Sequence, residues 1–76
     1  MVNQSTHGND EVIMAQRDMM RHLVSKYGHD QEKVCRAYAS AEARGDVPRK
    51  SNEHKLTPED YARRLWRDGI NKGWLF

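Results

Sequence analysis

The stretch Thr57-Pro58-Glu59-Asp60 does most to limit what this chain can fold into. A threonine at a helix entrance accepts a bond from an otherwise orphaned backbone N–H. Proline is harmless at the first helical position, where its missing N–H has no partner to lose. Two acids in the first turn suit the positive end of the helix dipole. Together these residues start an amphipathic helix over about 57–70, with Gly69 or Gly73 as its terminator. That helix buries Tyr61, Ala62, Leu65 and Trp66 and turns Arg63, Arg64 and Arg67 the other way. With this segment fixed, the rest of the chain reads as two more helices. The fold expected is all-α, a compact three-helix bundle over about 10–27, 30–44 and 57–70.

Residues 1–9 are polar, carry Gly8 and show no periodicity, which predicts a flexible, disordered N-terminal tail ahead of a single helical domain over 10–76. Asn9 or Asp10 caps the first helix. Val12, Ala15, Met19, Met20, Leu23, Val24 and Tyr27 fall within about half its circumference, and Ile13 joins them. Arg17, Asp18, Arg21 and Ser25 occupy the opposite side. Gln16 sits inside the apolar arc, so it lies either at a loosely packed end or buried with its amide in need of partners. Gly28 is a natural stop. The second helix carries the stripe Val34, Ala37, Tyr38 and Ala41 and ends at Gly45. Its alanines keep it thin, so that a neighbour bearing Trp66 or Leu65 can approach. The same stripe suits a homodimer, which leaves the oligomeric state open.

A long basic loop, Asp46 to Lys55, joins the second and third helices. Val47 is pushed to extended geometry by Pro48. Leu56 is placed to act as a hydrophobic staple against Tyr61. A connection of this length is more often functional or mobile than a plain link.

Size and composition limit the function. A chain of 76 residues builds one small core. Its one cysteine, Cys35, forms no intrachain disulfide and fits a reducing compartment. No apolar run approaches the roughly 18 residues that span a bilayer, and the N-terminus lacks the pattern of a secretory leader. The expected location is cytoplasmic, with no membrane partner. Through Ala43 acids exceed bases by one, whereas from Arg44 onward bases exceed acids by three. This asymmetry permits an anionic partner without the basic excess of a dedicated DNA packager.

No spacing specifies a reaction. His7, His22, His29, His54 and Cys35 make no paired short-spacing motif of the kind zinc requires, so no metal ligands and no cofactor are expected. Cys35 with His29 or His54 is a conceivable nucleophile and base, but a lone cysteine beside a buried stripe is a packing residue. No catalytic residues are assigned and no enzyme is expected. Leu23 to Ala37 loosely resembles a helix-turn-helix, yet Asp30 and Glu32 sit where phosphate contacts would fall.

The residues that point to binding are Arg49, Lys50 and Lys55 of the loop, Arg63, Arg64 and Arg67 of the third helix, and Trp74 and Phe76 at the end. Glu59 and Asp60 lie four residues before Arg63 and Arg64, the orientation that favours surface ion pairs. Trp74 and Phe76 either fold back to complete the core or remain available to a partner. Met14 faces away from the core arc. The function expected is a small non-enzymatic regulatory or inhibitory protein that binds a larger protein partner. The alternative is a nucleic-acid-binding domain that contacts phosphates through the basic loop and third helix.

Overall fold

The computed structural model describes residues 4–49 and 55–76, with side chains from Asp10 onward. The chain forms three helices, α1 (Gln4–Tyr27), α2 (Gln31–Arg44) and α3 (Pro58–Lys72). Their ends follow the local chemistry. Asp30 accepts from the Lys33 backbone N–H at 3.2 Å. Gly28 N–H donates to the Val24 carbonyl at 2.7 Å, closing α1. Thr57 Oγ1 accepts from Asp60 N–H at 3.1 Å, with Pro58 as the first helical residue. The third helix runs through Gly69 and stops at Gly73, whose φ of 77° is left-handed backbone that side-chain-bearing residues resist.

Helical backbone extends upstream to Gln4, past the start expected at Asn9 or Asp10. That segment contains no proline. The single Gly8 costs about 1 kcal/mol of helix propensity, too little to end a helix already nucleated downstream. Residues 1–3 of the predicted tail and residues 50–54 of the predicted loop lie outside the described residues.

α2 packs most extensively on α3, and α1 closes over α2. The core comprises Met20 and Leu23 from α1, Val34, Cys35, Tyr38 and Ala41 from α2, Val47 from the connector, and Tyr61, Ala62 and Trp66 from α3. The thin middle helix and bulky third helix expected from the alanine stripe are both present. Leu56 packs against this cluster from just outside α3. Tyr27, placed in the apolar arc by its spacing, is instead exposed where α1 ends beside a turn, with the Lys26 ammonium 5.5 Å from its ring centroid.

Gln16 lies inside the bundle, 1% exposed. Its Oε1 accepts from the Tyr61 hydroxyl at 2.6 Å, and its Nε2 donates to the Pro48 carbonyl at 2.9 Å. One amide thereby ties α1 to α3 and to the connector. Val47, 3% exposed, anchors the connector in the core. A buried amide is tolerated when its donors and acceptors are satisfied, so the residue that interrupts the apolar arc is the bridge between helices.

The C-terminal residues fold back. Trp74 and Leu75 N–H groups both donate to the Gly69 carbonyl, at 3.0 and 3.1 Å. Leu75 then lies directly on Gly69, where a β-carbon would come within 2.6 Å of Leu75 Cβ and 3.1 Å of Trp74 Cη2. Glycine at 69 is therefore a packing requirement. Phe76 sets its ring 3.8 Å from His29, centroid to centroid, and 5.2 Å from Trp66 in an edge-on arrangement.

Candidate docking groove

α1 and α3 touch less than either touches α2, and they splay around a cavity of about 280 Å³. On α1 the lining residues are Ile13, Gln16 and Arg17, three and four apart and so on one face. On α3 they are Tyr61, Arg64, Leu65, Asp68 and Lys72, again at helical spacing. Leu56 and Trp74 complete the lining. Gln16 and Tyr61, the most buried of the lining residues, form the floor, and Ile13, Leu56, Leu65 and Trp74 form apolar walls above it. The polar rim carries three cations, Arg17, Arg64 and Lys72, against the single carboxylate of Asp68.

Arg17 corrects the sequence expectation. Expected opposite the apolar arc, it lies at the edge of that arc, one turn from Ile13 and two turns from Val24, and it is half-buried with its guanidinium 5.2 Å from the centroid of Trp74. The cause is the folded-back C-terminus, which brings an aromatic face to a side of α1 that would otherwise meet water. A cation over an indole face is attracted by the ring quadrupole, by about 0.5–1 kcal/mol when exposed and more when desolvated.

The predicted binding residues do not gather in one place. Arg64 and Trp74 meet in the groove. Arg49 is drawn instead to Glu42, a carboxylate whose side chain is 1% exposed, with Nε 3.5 Å from Oε1. Arg63 pairs with Glu59 at 3.8 Å. Among the described residues Asp60 and Arg64 form no ion pair within 4 Å, so one of the two expected helix-surface pairs is present. Arg67 and Lys55 are exposed outside the groove, and Phe76 sits at His29 and Trp66. Lys50 lies outside the described residues. Arg17, Ile13 and Lys72 were not singled out from sequence. The available signal was the match between two ladders, Ile13, Gln16 and Arg17 on one helix and Arg64, Asp68 and Lys72 on the other.

Cys35 is fully buried, and its thiol is pushed up from 9.0 to about 11 by burial, with Arg63 opposing and Glu59 adding to the shift. A thiol held protonated in this way is a poor nucleophile. Among the described residues no three His, Cys, Asp or Glu side chains gather in a group that would hold a metal ion. No helix among them is long and apolar enough to cross a membrane. A second cleft, between α1 and α2, is bordered by Met19, His22, Lys26 and Tyr27, but its Arg44 is already paired with Asp46 at 3.0 Å. Compared with protein families, curated proteins and solved structures, the chain matches none.

Proposed function

We propose that this protein is a small non-enzymatic binding module that regulates or inhibits a larger protein by docking through the groove between α1 and α3. The observation that carries this reading is the pairing of Arg17 with Trp74 at the groove wall, 5.2 Å apart. Tryptophan and arginine are the side chains most enriched where binding energy concentrates at protein interfaces. Here both sit in a concave site whose apolar walls, Ile13, Leu56, Leu65 and Trp74, are rimmed by charged side chains.

The nucleic-acid alternative draws less support. It asks Arg49, Lys50, Arg63, Arg64 and Arg67 to follow one phosphate backbone. Arg49 and Arg63 are engaged by Glu42 and Glu59, and carboxylates beside a phosphate track repel it. A photo-crosslinking amino acid at Asp68, inside the groove, is expected to capture a discrete protein in cells that produce the chain. The same group at Met14, 63% exposed and outside the groove, is expected to capture none. Adducts to nucleic acid alone, or equal yields from both positions, would refute the reading.

A further inference from the structure

We infer that the segment received by this groove is an acidic peptide with a bulky apolar side chain at its centre, an inference that rests on the docking reading above. The first ground is charge. Arg17, Arg64 and Lys72 surround a site with one carboxylate, Asp68, and among the described residues none of the three lies within 4 Å of a carboxylate oxygen. Arg64 and Lys72 are exposed and Arg17 is half-buried, so all three charges stand at the mouth of the cavity.

Preorganisation is the second ground. A free arginine side chain loses rotamer freedom when it docks on a carboxylate, and that loss weakens binding. Arg17 has already lost much of it, because its guanidinium is held over Trp74 and its stem is half-buried. The planar fork is set in place at the groove wall, ready to take both oxygens of a carboxylate.

Size and the apolar walls give the third. About 280 Å³ lies just under the roughly 300–1,000 Å³ of sites that enclose drug-sized ligands. The space suits a large side chain entering from outside. Ile13, Leu56, Leu65 and Trp74 offer that side chain apolar contact. Asp68, four residues from both Arg64 and Lys72, decides between peptide and phosphate chain. Discrete carboxylates can settle on either side of it, whereas a backbone with a charge on every nucleotide must pass over it.

The test uses the full chain labelled with ¹⁵N and follows the Trp74 indole N–H while four probes are added. These are the peptides Glu-Asp-Leu-Phe-Asp-Glu, Lys-Arg-Leu-Phe-Arg-Lys and Glu-Asp-Ser-Ser-Asp-Glu, and a decamer of deoxythymidylate. The first peptide is expected to shift the Trp74 signal and to bind at least about tenfold more tightly than the other three. Its affinity should fall as salt shortens the screening length from about 10 Å at 0.1 M. Arg64→Glu and Lys72→Glu, at exposed positions, should each weaken it about tenfold, with the unligated spectrum otherwise preserved. Equal binding of the basic peptide, or of the serine peptide, would overturn the proposed chemistry while leaving the groove as a docking site. Tighter binding of the decamer would assign the rim to phosphate. If no probe moves the Trp74 signal, the docking reading itself falls.

Discussion

Gly69→Ala separates local propensity from packing, because the two predict opposite signs. In an isolated helix, alanine is about 0.8–1 kcal/mol better than glycine. Position 69 is inside α3, so propensity alone predicts a more stable protein. The structure predicts the reverse. The new methyl would stand 2.6 Å from Leu75 Cβ, 3.1 Å from Trp74 Cη2 and 3.2 Å from Leu75 Cδ2, which no pair of carbons tolerates without movement. The first contact involves a β-carbon, which cannot swing away by a change of rotamer, so the backbone after Gly73 must lift. Trp74 and Leu75 are half-buried and Phe76 is 48% exposed. Full burial of such side chains stabilises by about 1.5–3 kcal/mol each, so freeing three that are roughly half-covered costs about 2–4 kcal/mol in all. After the propensity gain the net loss is about 1–3 kcal/mol. In a domain of this size that lowers the melting temperature by roughly 4–8 °C per kcal/mol. The assay is a far-UV circular dichroism melt with tryptophan emission recorded alongside. A lower melting temperature with red-shifted emission is expected, as Trp74 leaves Arg17 and enters water. An unchanged or raised melting temperature with unchanged emission would refute the packing argument.

The other predictions concern the bundle. Tyr61→Phe removes the hydroxyl that Gln16 accepts at 2.6 Å and should cost about 1–2 kcal/mol, seen as a lower urea midpoint with an unchanged slope; an unmoved midpoint would show that the bridge contributes nothing. Thr57→Ala deletes the cap of α3 and should cost about 1 kcal/mol in the same assay, whereas Thr57→Ser should retain most of it. Cys35 should resist iodoacetamide near pH 8 until the chain is unfolded by denaturant, since its thiol is buried and protonated there. Because its folded pKa of about 11 lies above the ordinary 9.0, the unfolded chain releases this proton first. Its contribution to stability is therefore complete below pH 9.0 and is lost as pH rises toward about 11, by about 1.4 kcal/mol per pH unit at most. Urea midpoints that fall equally in Cys35→Ala across that window would assign the decline to other groups.

The features legible in the sequence were those fixed within a few residues. Asp30, Thr57, Gly28, Gly45 and Gly73 mark helix ends because capping is a matter of adjacent backbone and side chain, and the structure places a boundary at each. The stripe from Val34 to Ala41 was readable because helical periodicity sorts inside from outside without knowledge of the neighbour. Gln16 was visible as an anomaly, but its partners lie 32 and 45 residues away at Pro48 and Tyr61, beyond any local pattern. Arg17 reads as a solvent residue by its charge, although it stands at the edge of the apolar arc beside Val24, and nothing local announces a C-terminal segment returning over it. Gly69 read as a possible terminator because a glycine needed for contact looks the same in sequence as a glycine needed for a turn. The grouping of Arg49, Lys50, Lys55, Arg63, Arg64 and Arg67 rests on proximity in sequence. Glu42, buried on α2, and Glu59, one turn before Arg63, draw two of its members elsewhere.

The groove depends on where the last three residues go, since Trp74 forms part of its wall and Leu75 covers Gly69. A ¹⁵N- and ¹³C-edited nuclear Overhauser spectrum of the full chain reports this directly. Cross-peaks from the Gly69 α-protons to the Leu75 side chain, from Trp74 to the Arg17 side chain and from Phe76 to His29 are expected. Sharp, random-coil signals for residues 74–76 with none of these cross-peaks would contradict the account.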